Sequence, residues 1–178
     1  MQDLAALIRA VPDFPRPGVL FRDVSPLLAD AEGFARCIDA LAEPWQGQGQ
    51  GQGQCVQAVC GIESRGFIFG AALALKLGAG FVPIRKAGKL PPPVLGTDYQ
   101  LEYGSDRLEV GSKALCAGER TLIIDDVLAT GGTLAAAREL VAQLGGELIG
   151  AAVVIELAAL HGRHRWLGGT PLHALLRY

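Results

Sequence analysis

Short, nearly continuous apolar runs alternate along this chain with longer stretches of helical character, and the order of elements follows from that alternation. Beyond position 55 the pattern is regular. Residues 56–60 predict a short strand, an alanine- and leucine-rich stretch ending at 77 predicts a helix, and 81–85 predict the next strand. Residues 121–124 predict a buried strand, 132–144 a helix, 148–155 another buried strand, and the closing HALLRY (173–178) a last apolar strand. Gly78 and Gly80 stop the first of these helices. Residues 86–98 are basic and proline-rich with no period and predict a long loop, while 99–103 and 107–110 alternate well enough for a hairpin around Gly104 and Ser105. The N-terminal part differs. A short amphipathic helix is expected over 2–10, an extended proline-punctuated segment over 12–26, and a helix over 32–41.

Apolar strands alternating with helices argue for an α/β fold: a mostly parallel, twisted sheet covered by helices. Such sheets bind ligands at the carboxyl ends of their strands. That directs attention to the segments following residues 60 and 124. The tract GQGQGQGQ at 47–54 has neither charge nor apolar period and reads as a lengthened surface loop without chemistry of its own. At 178 residues the chain fits one domain, 1–178.

Composition narrows the classes of function. Half the residues are hydrophobic and 19% are charged, enough apolar material for a packed core and too much for a disordered chain. The formal charge of −2 disfavours a sequence-independent nucleic-acid binder, which carries a basic excess. The best candidate for a membrane span, 67–84, contains Lys76, Pro83 and several glycines and reads as helix, turn and strand. No basic region followed by an apolar stretch marks a secretory signal. Cys37, Cys55, Cys60 and Cys116 form neither a CxxC pair nor a disulfide framework, so they read as free thiols of a cytoplasmic protein.

The segment LIIDDVLATGGT, 122–133, concentrates the chemistry. An apolar strand delivers Asp125 and Asp126, and Ala129, Thr130, Gly131, Gly132 and Thr133 then open a helix. Glycines admit a ligand close to the backbone, and free N–H groups at a helix start cradle phosphate. Carboxylates beside such a cradle would repel a bare phosphate. They make sense where the same ligand also offers hydroxyls or a metal, as a sugar phosphate does. The pattern is neither a Walker loop nor GxGxxG.

This Asp-Asp, three residues, Thr-Gly-Gly-Thr pattern resembles the phosphoribosyl diphosphate signature of type I phosphoribosyltransferases. PDFPRPGVLFRDVSPLL (12–28), ESRGFIFG (63–70), VPIRKAGKLP (82–91) and LEYGSDRLE (101–109) are similar, in the same order, to the adenine-specific members of that family. The resemblance implies a type I phosphoribosyltransferase-like sheet with a small N-terminal hood and base-binding segment (1–30) and a flexible basic loop and hairpin (86–110). It implies purine salvage: adenine and 5-phosphoribosyl 1-diphosphate give AMP and diphosphate, with Mg²⁺ held mainly by substrate oxygens and no direct protein cage. A homodimer in the cytoplasm is implied, with no nucleic-acid or membrane partner.

Residue by residue, the resemblance places the 5′-phosphate on Ala129, Thr130, Gly131, Gly132 and Thr133, and the ribose hydroxyls on Asp125 and Asp126. Arg65, whose fork suits phosphate oxygens, and the cluster Arg85, Lys86 and Lys89 meet the diphosphate, with Arg85 acting in its own or a neighbouring subunit's site. Glu102 matches the family's proposed general acid/base, taking a proton from the purine as N9 attacks C1′ or hydrogen-bonding its N7. Leu20, Phe21 and Arg22 match the adenine pocket, through ring stacking and backbone groups, and Asp23 either braces Arg22 or makes a surface pair. The loop departs from the family in its three successive prolines and in Val94, where a hydroxyl-bearing residue is expected. Two alternatives stand beside this reading: a phosphoribosyltransferase for a 6-oxopurine, and a non-catalytic phosphoribosyl diphosphate sensor.

Overall fold

The computed structural model describes residues 3–46, 55–100, 105–166 and 169–178. The Gly-Gln tract, Glu102 and the tip of the expected hairpin at 101–104 lie outside the described residues. Two compact units are distinguished, Met1–Ala40 and Leu41–Tyr178.

In the first unit the Asp3 carboxylate accepts the Ala5 N–H at 3.1 Å and starts a 3-10 turn, Leu4–Leu7. This turn is all that forms of the helix expected over 2–10. The chain then extends as β1 (Arg9–Pro12), antiparallel to β2 (Leu20–Asp23), with Arg9 opposite Asp23 and Pro12 opposite Leu20. A helix continued to residue 10 would take Arg9 and Ala10 from their partners Asp23 and Arg22, and β-branched Ile8 and Val11 favour extension. A short helix α1 (Ser25–Ala29) follows. Then comes α2 (Ala31–Ala42), close to its expected bounds and preceded by Asp30, whose carboxylate accepts the Gly33 N–H at 2.6 Å.

The second unit holds β3 (Ala58–Ile62), α3 (Arg65–Leu77), β4 (Gly80–Lys86), β5 (Val94–Gln100), β6 (Ser105–Gly111), β7 (Arg120–Leu128), α4 (Gly132–Gln143), β8 (Glu147–Glu156) and β9 (Leu172–Arg177). Among the described residues these strands build one seven-stranded sheet, β5-β6-β4-β3-β7-β8-β9. β4, β3, β7, β8 and β9 are parallel, while β6 runs antiparallel to β4 and β5 antiparallel to β6. Every residue of β3 is buried, as are the last seven of β8. Burial on both faces is why these strands read as continuous apolar runs. Cys60, Ile84, Leu108, Ile123, Leu140 and Val153 lie in one core cluster.

Two strands depart from their expected bounds. β7 continues past Ile124 through both aspartates, because its pairing with β8 persists, Asp125 opposite Val153 and Leu128 opposite Glu156. β5 begins at Val94, inside the segment expected to be loop, because Val94 to Gln100 pair in full register with Ser105 to Gly111. Leu95 and Tyr99 pack against the core and Thr97 is buried. Among the described residues no helix is long and apolar enough to cross a membrane.

Candidate active site

Asp125 and Asp126 sit near the carboxyl end of β7 and are both buried, at 8% and 6% exposure. Asp125 Oδ1 accepts the Asp126 N–H at 2.9 Å. Burial, and then the neighbouring charge of Asp126, push the Asp125 carboxyl well above the ordinary carboxylate range. Asp126 is raised mainly by burial, opposed by the Arg65 guanidinium, whose Nε lies 2.8 Å from Asp126 Oδ2. Arg65 is the first residue of α3, so the strand β3 and the turn after it aim one cation at the aspartates of the neighbouring strand.

Past Leu128 the chain turns into α4. Gly131 occupies the position before the helix with a φ of 81°, and no side chain caps the N–H groups there. Those donors and the partial positive end of a 12-residue helix are what a phosphate requires. The turn is backed by Gly162. A Cβ on Gly162 would meet the Ala129 carbonyl oxygen, and one on Gly131 would meet the Gly162 carbonyl. Gly162 is held by its neighbour: Arg163 Nε and Nη2 donate to the two oxygens of buried Glu156 at 3.1 and 2.6 Å, and Nη1 donates to the Leu172 carbonyl at 2.7 Å.

The basic cluster leads out of β4. Arg85 Nε donates to Glu63 Oε2 at 3.0 Å, Arg85 Nη1 donates to the Lys89 carbonyl at 3.1 Å, and the same Glu63 oxygen accepts the Lys86 N–H at 3.0 Å. The Arg85 guanidinium also stands 5.8 Å from the Phe67 ring centroid. Lys86 Nζ lies 3.1 Å from Asp106 Oδ2 on β6. Lys89 is exposed.

The expected base-binding residues lie on β2 in the first unit. Leu20 is exposed, Phe21 and Arg22 are half-buried, and the Phe21 ring meets Phe14 edge-on with centroids 5.1 Å apart. The Asp23 carboxylate is taken up by Arg9 (3.1 and 2.6 Å) and by the Ser25 N–H and hydroxyl (2.9 and 2.6 Å). Its pKa is lowered, chiefly by the Ser25 hydroxyl.

A groove of about 800 Å³ runs beside α4, lined among others by Thr97, Tyr99, Arg138, Glu139 and Arg165; neither Asp125 nor Asp126 lines it. Among the described residues no three His, Cys, Asp or Glu side chains group to hold a metal. Sequence reasoning missed Glu156, Gly162 and Arg163. The rule that parallel strands carry function at their carboxyl ends applies to β8 as well, and Glu156 is its last residue.

Comparisons with known proteins identify the family and the fold. A model of the phosphoribosyl transferase domain matches residues 28–167. An adenine phosphoribosyltransferase of a Synechococcus species is 58% identical over 98% of this chain and 97% of its own. The crystal structure of the adenine phosphoribosyltransferase from Rhodothermus marinus superposes with a TM-score of 0.90 at 49% identity, covering 98% of this chain and 96% of that one. The Saccharomyces cerevisiae enzyme, solved with adenine and an imino-altritol bisphosphate, gives 0.88 at 42% identity over 97% and 96% of the two chains. With a matching domain, a matching fold and a relative alike over nearly its whole length, the chain belongs to the adenine phosphoribosyltransferase family.

Proposed function

We propose that this chain transfers the 5-phosphoribosyl group of 5-phosphoribosyl 1-diphosphate to adenine, giving AMP and diphosphate in purine salvage. One observation carries the reading: a single strand–turn–helix unit presents two buried carboxylates and, within a few residues, an uncapped helix start packed on Gly162. Carboxylates suit ribose hydroxyls and the helix start suits the 5′-phosphate. Arg65, Arg85, Lys86 and Lys89 supply positive charge for the diphosphate, and Phe21, braced by Phe14, supplies a ring for the base.

The reaction forms the C1′–N9 bond as the bond from C1′ to the diphosphate oxygen breaks. The electron pair leaves with the diphosphate, and the N9 proton passes to Glu102. Basic side chains stabilise the departing charge, and rate comes from positioning and electrostatics. The hard carboxylate oxygens of Asp125 and Asp126 would suit Mg²⁺ brought in with the substrate, as their donor chemistry fits a hard cation. When bound, Mg²⁺ neutralises diphosphate charge. The active form is a cytoplasmic homodimer with neither nucleic-acid nor membrane partners.

The test is nucleotide formation from the purified protein, Mg²⁺, 5-phosphoribosyl 1-diphosphate and each purine base in turn. AMP from adenine alone is expected. A product from a 6-oxopurine would overturn the base assignment, and Mg²⁺-dependent binding without any product would make the chain a sensor.

A further inference from the structure

We infer that Asp106 and Tyr99 are positioning residues: Asp106 holds the Lys86 ammonium ready for the diphosphate, and Tyr99 orients the Asp106 carboxylate that does so. The inference rests on the reading above, in which Lys86 meets the diphosphate.

The contacts form one chain. Lys86 Nζ lies 3.1 Å from Asp106 Oδ2, and the Tyr99 hydroxyl donates to the same oxygen at 3.3 Å. Asp106 Oδ1 accepts the Arg107 N–H at 2.8 Å, so both carboxylate oxygens are engaged. Farther along α4, Gln143 Nε2 donates to Thr97 Oγ1 at 3.0 Å and fixes β5 on the helix. Both groups that hold Lys86 therefore come from the β5–β6 pair, which is itself fixed on α4.

An isolated surface ion pair would deserve no such weight. Here the carboxylate is the less exposed partner, at 23% against 55% for the Lys86 side chain, and a second donor orients it. A lysine loses much rotamer freedom when it meets a ligand, and holding it beforehand removes that cost. An ammonium has three N–H donors, so one spent on Asp106 leaves two for the diphosphate. Against burial, the Arg107 N–H and then the Lys86 ammonium hold the Asp106 carboxyl below its usual range, and Asp106 in turn holds Lys86 above its own. A negative charge next to an anion-binding lysine would otherwise only weaken the site.

The test is a double-mutant cycle with steady-state kinetics. Asp106→Asn and Tyr99→Phe each raise KM for 5-phosphoribosyl 1-diphosphate about tenfold or more, the loss of one hydrogen bond to a charged group, and leave KM for adenine unchanged. Asp106→Glu restores most of the loss. In a Lys86→Met background Asp106→Asn adds nothing further, because its effect passes through Lys86. An unchanged or lower KM in Asp106→Asn, or full additivity with Lys86→Met, overturns the inference. If the wild-type protein makes no AMP, the functional reading fails separately. The same cycle, read by calorimetry with Mg²⁺ and inorganic diphosphate, then still decides whether Asp106 acts through Lys86.

Discussion

Gly162 and Ala129 are packed so closely that one methyl group added to Gly162 would fall on the Ala129 carbonyl oxygen. The contact is backbone on backbone, so no flexible side chain can give way. Gly162→Ala is therefore expected to cost about 1–3 kcal/mol, an overpacking penalty. For a chain of this size that is a fall in Tm of about 2–4 °C per kcal/mol. The same displacement reshapes the turn at Ala129–Gly131, so KM for 5-phosphoribosyl 1-diphosphate rises while KM for adenine holds. Thermal melting and kinetics on one variant check both parts; a melting shift with an unmoved KM would leave Gly162 a packing residue only.

Arg163→Met tests the anchor behind that glycine. Glu156 is 4% exposed and Arg163 grips both its oxygens, leaving Arg177 at 3.9 Å as a weaker partner. Removing the grip costs about 1–2 kcal/mol, discounted because the Arg163 side chain is partly in water. The pH dependence has a definite sign. Hydrogen bonding from Arg163 holds Glu156 below its ordinary 4.5, so the stabilisation is complete above that value and fades as pH falls through the lowered folded value. Urea melts of both proteins should differ by a constant amount at neutral pH and converge in acid. A gap that persists unchanged in acid would remove the ion pair from the explanation.

What could be read beforehand and what could not divide along a physical line. β3, β7 and β8 are buried on both faces, and α3 stops at Gly78 in the left-handed conformation (φ 67°), so local sequence announced all four. β1 could not be read this way. Leu4, Ala5, Ala6 and Leu7 are good helix formers, but the partner that draws Arg9–Pro12 into a strand is Leu20–Asp23. β5 was hidden for the same reason, since its register is supplied by β6. The site shows the same division. Asp125, Asp126 and the turn at 129–133 are contiguous and legible, and the identification of the family rests on such contiguous motifs. Gly162 behind Ala129 and Asp106 beneath Lys86 are tertiary juxtapositions that no local pattern encodes.

The four cysteines should divide two and two. Cys37 and Cys60 are buried, and burial pushes each thiol up to about 12, whereas Cys55 and Cys116 are exposed. A thiolate-selective reagent near pH 8 should label Cys55 and Cys116 quickly in the native protein, and Cys37 and Cys60 only on denaturation. Peptide mapping of the labelled sites decides it. Rapid native labelling at Cys60 would mean that β3 opens far more readily than its complete burial implies.

Glu102→Gln separates chemistry from binding. A glutamine keeps the size of the side chain and much of its hydrogen bonding but cannot take up the N9 proton. Turnover should fall by about two orders of magnitude or more, the usual range for a lost general base, while 5-phosphoribosyl 1-diphosphate binds as before. Single-turnover rates beside calorimetric binding make the comparison, and a variant working at full speed would remove Glu102 from the mechanism.

Asp125→Asn should make the protein more stable and less able to hold its substrate. Asp125 is buried beside Asp126, and its pKa is raised first by burial and then by its neighbour's charge. A raised carboxylate binds its proton more tightly in the folded chain than in the unfolded one. Its ionisation therefore destabilises the fold increasingly as pH climbs above the ordinary 3.8, and the cost is complete above the raised folded value. The amide removes that cost and can still hydrogen-bond Asp126, so the variant gains about 1–3 kcal/mol at neutral pH and almost nothing in acid. The gain costs function, because the ribose hydroxyls lose an anionic acceptor. KM for 5-phosphoribosyl 1-diphosphate should rise about tenfold, as for other hydrogen bonds to a charged group. A variant no more stable than wild type at neutral pH, or a difference indifferent to pH, would show that the buried pair is not under electrostatic strain. A stabilised variant with its substrate affinity intact would instead remove Asp125 from the ribose site.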